Sequence, residues 1–377
     1  MEPPALSGGV FAFSLTAFPV CYTLNYLSEL SHPLGMAILT VMILALLFVA
    51  IFSLAQGKIS HDPLFVVFTI FSFTSLIDLF IALQEDGFVI DFMEFYARER
   101  EPYLRTSYGI FSCYWNGIVH YLLCLTMTGA IATRKRYRSL GLYWLGSLVM
   151  SIMVFVTGNI LGKYSSELQL SFLLNIPYML IPCWVGLHLF SQDKGPTGYT
   201  AKMIAEEHKK GLLQRPWDIA LLIYLFLAGL FTIFRGLVVL ECSTDSCFTY
   251  VYQYEPYLRD PVAYPKIQML VFLFYALPFF ILAAYSLLRP GCSWIPDWAL
   301  VFAGAMGQAQ FSHIGASMHP HTPYTYRTPE DVLSFLFILN LLYAVGTHLL
   351  AYRCLRWPAF FLCPPTLSQE EENKKDC

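Results

Sequence analysis

Charge is what this chain has least of. Asp, Glu, Lys and Arg make up 13% of its 377 residues, where soluble domains carry about 25%. So few charged side chains cannot coat a soluble particle of this size. A basic excess is missing too: the net charge is -3, which excludes a nucleic-acid partner held by phosphate contacts. Whole stretches lack charge altogether, and 5–28, 34–55 and 139–162 contain no Asp, Glu, Lys or Arg. Each reaches the roughly 20 residues that a helix needs to cross hydrocarbon with its own backbone satisfied. One such run would suit a soluble core helix; ten do not. The first run has no basic segment before it and is longer than a signal-peptide core of about 7–15 residues, so it is expected to be retained. No spacing of His, Cys, Asp and Glu marks a metal site, and no cofactor is expected.

What is present is apolar. Hydrophobic residues reach 56% and mean hydropathy is +0.55, which predicts an all-α polytopic membrane protein of about ten transmembrane helices. The expected spans are 6–28, 34–55, 62–84, 107–132, 140–162, 168–190, 217–240, 266–288, 296–316 and 332–353. With a cytosolic N-terminus, fifteen of the 23 Lys and Arg fall on the cytosolic side, led by Arg134-Lys135-Arg136-Tyr137-Arg138. Seven fall on the other side and Arg235 lies inside a span. That bias places both termini in the cytosol.

The chain repeats itself. Glu101-Pro102-Tyr103-Leu104-Arg105 returns letter for letter as Glu255-Pro256-Tyr257-Leu258-Arg259, and the same offset of 154 carries Trp144 onto Trp298. Past Met318 the register slips by 11 residues, absorbed in the Pro- and His-rich loop 319–331, and Leu174-Asn175-x-x-Tyr178 returns as Leu339-Asn340-x-x-Tyr343. An identical pentapeptide in corresponding loops points to duplication. The domains expected are two N-terminal spans in 1–60, a four-helix copy in 61–190, a cytosolic linker in 191–215, a second copy in 216–353 and a tail in 354–377. Four spans per copy is an even number, so both copies face the same way.

Two cysteines, Cys242 and Cys247, fall in a predicted lumenal loop and are disulfide candidates, with zinc the weaker alternative because no His lies nearby. Cys354 and Cys363 follow the last span and are either palmitoylated or plain thiols. Lys374 and Lys375, fourth and third from the end, match the dilysine retrieval signal read by coat proteins.

Polar side chains at bilayer depth cost several kcal/mol unless paired or wetted, so they are the candidate ligand-binding residues. They are Asp78, Asn116, His120, Asn159, Asn175, Arg235, Gln310, His313 and Asn340, with Tyr178 and Tyr343 three residues after the two repeated Asn positions. The plainer reading is interhelical hydrogen bonding that glues a bundle. Asp78 and Arg235, each in the first span of its copy, are alternatively a mutually neutralising pair.

The two spans, the paired Glu-Pro-Tyr-Leu-Arg loops, the Leu83-Gln84-Glu85-Asp86 run, the Asn-x-x-Tyr motifs and the Lys-Lys-x-x tail resemble the transmembrane 6 superfamily. Each copy is similar to the EXPERA domain shared with emopamil-binding protein, a sterol Δ8–Δ7 isomerase. The resemblance implies two tandem EXPERA-like bundles in an endoplasmic-reticulum membrane protein, within reach of the endoplasmic reticulum–Golgi intermediate compartment. It implies membrane lipid or sterol as ligand, and a part in lipid-droplet content and the lipidation of triglyceride-rich lipoproteins beside lipoprotein-assembly proteins.

Isomerisation needs an acid and a base across the ring. Aligned on Phe73-Thr74-Ser75-Leu76-Ile77, the isomerase His position holds Ser75 and its acids fall at Leu79 and Trp115, beside Asp78 and Asn116. Gly158-Asn159 stands where the isomerase has Gly-Asp; Asn175, Tyr178 and Pro182 keep the last helix's pattern. His313 takes the Asn159 place in copy two, with no carboxylate expected in the adjoining helices. A non-catalytic lipid-binding protein is therefore expected. The alternatives are an isomerase that uses Asp78 and His120, and a lipid scramblase or transporter.

The charge count predicts that an epitope tag at 199 is reachable from the cytosol in selectively permeabilised cells. One within 243–246 should be reached only after internal membranes are opened. The reverse pattern overturns the orientation.

Overall fold

The computed structural model describes residues 3–30, 62–99, 101–167, 172, 175–195 and 198–363, with scattered positions between 35 and 49; side chains at 3–6, 28–30, 175 and 177 are left aside. The described residues form helices and turns without strands. In chain order these are α1 Pro3–Leu15, α2 Ala17–Leu30, α3 Leu64–Glu85, α4 Glu94–Glu99, α5 Ser107–Ala132, α6 Arg138–Leu161 and α7 Asn175–Ser191. There follow α8 Ala201–Lys209, α9 Pro216–Val239, α10 Asp245–Thr249, α11 Tyr264–Leu288, α12 Ile295–Met318 and α13 Glu330–Arg356. Seven stretches among the described residues are long and apolar enough to cross a membrane: Ser7–Leu27, α3, α5, α6, α9, α11 and α13.

Three expected spans are not seen whole as single helices among the described residues. The first is broken at Thr16 into α1 and α2. Pro19 has no N–H to offer the Leu15 carbonyl, and proline interrupts a helix at that point. Most of the expected span at 34–55 lies outside the described residues, and the scattered positions described within it are helical. The span at 168–190 begins, in its described part, at Asn175. A fourth, α12, has the expected place, but Gly, Gln, Ser and His dilute its apolar character, and it stands apart from the seven. Burial explains how it tolerates them. Most of its residues from Ile295 to Ser317 are buried, with Trp298 and Phe311 exposed, so its polar side chains meet other helices.

Its main neighbour is α6, the corresponding helix of copy one. A Cβ at Gly146 would lie 1.7 Å from the Val301 carbonyl oxygen, and one at Gly304 would lie 2.0 Å from that of Tyr143. Two backbones therefore touch where side chains would hold them apart, the small-residue packing that membrane helices use in place of a hydrophobic drive. Trp144, fully buried, fills the far side of α6, edge-on to Phe68 and Phe71 at 5.4 and 5.0 Å.

Both ends of the contact are pinned. At the linker end, Arg138 donates to both oxygens of Asp297 at 2.5 and 3.1 Å, and Lys194 reaches the same carboxylate at 2.8 Å. At the other end, which carries the two repeated pentapeptides, the loop 319–331 crosses to copy one. His319 Nε2 lies 2.9 Å from Asp86 Oδ1, His321 Nδ1 lies 3.0 Å from the Arg105 carbonyl, and Thr322 donates to Ser107 Oγ at 2.7 Å. The residues that break the repeat register are thus a strap between the copies. Cys242 and Cys247 form the expected disulfide. Cys354 is buried and Cys363 exposed, which removes Cys354 as an acylation site.

Leucine at Gly146 or Gly304 should lower the Tm of the detergent-solubilised protein by about 5 °C or more. Gly8→Ala, where a Cβ meets nothing within 4 Å, serves as the control. Wild-type melting of both leucine variants would show that the two helices are not in backbone contact.

Candidate functional site

In copy two, the polar candidates converge on a residue that pattern reading passed over. The chain leaving α9 folds back through the disulfide-closed turn of α10 and a π turn at Tyr250–Tyr254. It delivers Glu255, 1% exposed, into the bundle. Arg235 Nε donates to Glu255 Oε2 at 3.1 Å, and its Nη2 binds Oε1. Tyr250 Oη donates to Oε2 at 2.7 Å, and His313 Nε2 to Oε1 at 2.7 Å. Arg235 Nη1 donates to Asn340 Oδ1 at 2.9 Å. Asn340 Nδ2 in turn donates to the Leu336 carbonyl at 2.9 Å.

Each Glu255 oxygen thus receives two donors, which fills a carboxylate's four acceptor positions. Burial pushes the carboxyl up, and the Arg235 charge with the His313 bond outweighs it, bringing Glu255 down to about 2. Glu255 is therefore ionised and saturated. With Nε2 as the donor, His313 Nδ1 is a buried acceptor without a partner. The expected absence of a carboxylate covers only the adjoining helices; the carboxylate that meets His313 comes from a loop.

Copy one has the same scaffold with different contents. Glu101 and Glu255 take nearly the same backbone conformation, φ -135° ψ 62° against φ -131° ψ 65°. At the repeat offset, the place of Arg235 is held by Ile81. Burial pushes the Glu101 carboxyl up to about 7, with the Tyr96 and Tyr103 hydroxyls acting in the opposite direction. Asn116 Nδ2 donates to Asp78 Oδ2 at 2.9 Å, and Asn116 Oδ1 is buried without a partner. Among the described residues, the ion pairs of Arg and Lys leave out both Asp78 and Glu101. Asp78 and Arg235 do not neutralise each other, because each finds its partner within its own copy.

A π turn at Asn116–His120 interrupts α5, and another at Phe272–Ala276 interrupts α11, two residues off the repeat register. Such turns recur at functional sites because they rotate the following side chains. Here Gly117 makes the turn fit, since a Cβ would lie 2.4 Å from Leu79 Cβ. His120 Nε2 lies 2.7 Å from Ser147 Oγ, which also accepts Trp115 Nε1 at 2.6 Å. His120 and Asp78 thus engage different groups, and the structure brings no acid–base pair together from them.

The other candidates scatter. Asn159 accepts the Tyr264 hydroxyl, so it fastens copy one to copy two. Tyr343 Oη lies 3.0 Å from Thr232 Oγ1 and donates to the Ala228 carbonyl at 3.1 Å. Tyr178 packs edge-on to Phe71 at 5.2 Å. Gln310 is buried with both amide atoms unpartnered. The Asn175 side chain, Lys374 and Lys375 lie outside what is described. A small, partly open cleft, with room for about one water, lies between α12 and α13, lined by Glu255, Asn340, Ser317, Thr328, Leu333 and Phe337 among others. One sequence signal did mark the missed residue: Glu255 and Glu101 open the identical pentapeptides.

The family described as "Transmembrane 6 superfamily member 2-like, transmembrane domain" matches residues 16–200, and the EXPERA (EXPanded EBP superfamily) family matches 244–354. The chain is 66% identical over 365 residues to human transmembrane 6 superfamily member 2, with 97% of each chain covered. It is 63% identical over 377 residues to the mouse protein of the same name, with 100% of each covered. No solved structure matches.

Proposed function

The chain belongs to the transmembrane 6 superfamily, member 2-like, and from that premise we propose that it binds sterol or neutral lipid without turning it over. The observation that carries this reading is the placement of buried polar groups in both bundles beside apolar helix faces. Asp78, Glu101 and the unpartnered Asn116 Oδ1 serve copy one; a cleft that meets Glu255 and Asn340 serves copy two. Such groups suit a lipid with one polar head and an apolar body. Catalysis is disfavoured by the bonding of the histidines. His120 bonds Ser147, and the carboxylate beside His313 is already saturated.

One observation favours a second reading. His313 and Glu255, 2.7 Å apart, are the one acid–base pair among the candidates, and an isomerase would use them rather than Asp78 and His120. Mass spectrometry of lipid that copurifies with the full chain, with Δ8-sterol turnover measured on the same preparation, separates the two. Stoichiometric sterol or neutral lipid without turnover is expected. Turnover lost in His313→Gln would establish the enzyme.

The family and the dilysine tail support residence in the endoplasmic-reticulum membrane with retrieval by coat proteins. There a lipid-binding protein would act on lipid-droplet content and lipoprotein lipidation, alongside lipoprotein-assembly proteins. Serine at Lys374 and Lys375 should shift the protein toward the Golgi and the cell surface. Unchanged reticular staining would place retention elsewhere in the chain.

A further inference from the structure

The two copies share a scaffold but not a state of occupancy. In copy two, Arg235 engages Glu255 with Nε and Nη2 and Asn340 with Nη1, and it stacks 5.4 Å from the Phe231 ring. Glu255 has no acceptor position left, and both ends of the Asn340 amide are bonded. A ligand head entering here would have to break charge-assisted bonds inside protein, which are the strong ones. Of that cluster, the adjacent cleft reaches the committed pair, Glu255 and Asn340, beside Ser317 and Thr328. Gln310, whose amide is unpartnered, and His313, whose Nδ1 is, do not line it.

Copy one differs at two positions of that cluster: at the repeat offset, Ile81 falls where copy two has Arg235 and Asn159 where it has His313. Among the described residues, the ion pairs of Arg and Lys leave Glu101 and Asp78 out. Among the same residues, those described, Asp78 receives a single side-chain donor, Asn116 Nδ2, and the partner oxygen Asn116 Oδ1 receives none. The free capacity is acceptor capacity. A buried acceptor without a donor costs about 1–3 kcal/mol, and a ligand hydrogen can relieve it.

We propose that copy two is occupied from within by its own arginine. Copy one is then the binding copy, selecting a lipid whose head donates a hydrogen bond. This inference rests on the lipid-binding reading above. Its division of labour explains why one half of a duplicated bundle keeps a buried arginine and the other a half-buried acceptor pair, Asp78 and Asn116. The strap from His319 to Thr322 closes on Asp86 and Ser107, at the ends of the two helices that carry Asp78 and Asn116. The occupied copy therefore braces the open one.

The test uses the full chain in detergent micelles and a diazirine-bearing sterol with a free 3-hydroxyl, followed by peptide mapping of the photolabel. Label is expected on α3 and α5, competed by the unlabelled sterol and about tenfold less by its 3-methyl ether, which cannot donate. Asn116→Leu should reduce that label by about tenfold while the protein keeps its elution volume. The double change Arg235→Met with Glu255→Gln removes the internal occupant without leaving a lone buried charge. It should add a second labelled site on α9 and α13. If that variant does not fold, the wild-type map still decides. Wild-type label in copy two, or equal competition by the methyl ether, overturns the inference and leaves lipid binding standing. Absence of any competed label overturns both.

Discussion

A bilayer interior offers no water, so a charge placed there must find its partner inside the protein. The structure follows from how that demand is met. Arg235 spans α9, the Glu255 loop and α13 in one set of bonds. Asp218, fully buried at the start of α9, takes Arg215 at 2.6 Å and both forks of Arg353 at 2.6 and 3.0 Å. Asp297 takes Arg138 from the other copy. Stripping one partner from a buried pair costs about 3–5 kcal/mol, so these pairs set the depth and rotation of helices that lipid alone would leave free to slide.

Between those charges the copies are joined by shape. The α6–α12 contact has no charged group at its closest point, only two glycines and two carbonyls. Dispersion at backbone distance is the available force there, because lipid tails are as apolar as any side chain. Asn159 with Tyr264, and Tyr143 with His348 at 3.0 Å, add polar contacts across the same junction. The duplicated halves are therefore not two beads on a linker. Their third helices form one shared core.

Within that frame a repeated motif has acquired two chemistries. The Glu-Pro-Tyr-Leu-Arg turn has one backbone shape in both copies, yet one carboxyl sits near 7 and the other near 2. Burial acts on both; the guanidinium acts on one. Two side chains decide the difference, Arg235 and His313, where the repeat offset puts Ile81 and Asn159 in copy one. The sterol-isomerase resemblance reads differently in this light. The helical scaffold and its last-helix Asn-x-x-Tyr pattern persist, while the histidine that has a carboxylate beside it is tied into an ion cluster.

Much of the fold was legible from the chain alone. Helix formation in hydrocarbon is local: each backbone bond closes within four residues, so the length and purity of an apolar run decide a span, as α3, α6 and α9 illustrate. The Cys242–Cys247 bridge spans five residues and the duplication is written in the letters. Deviations arose where a local signal met a nonlocal setting. Pro19 broke a run that composition favours, and α12 became a helix sheathed in protein despite its polar content. The site was less legible, because side-chain partnership depends on how far each helix is turned and shifted against the next. Glu255 and His313 are 58 positions apart, Arg235 and Asn340 105, and no periodicity links them. Asn116 faces Asp78 at the opening of a π turn that the apolar pattern does not announce. The sequence by itself determined the spans, the duplication and the identity of the polar residues. Tertiary packing alone decided which of them became partners, since a partner in a dry interior is fixed by the contact of helices distant in the chain.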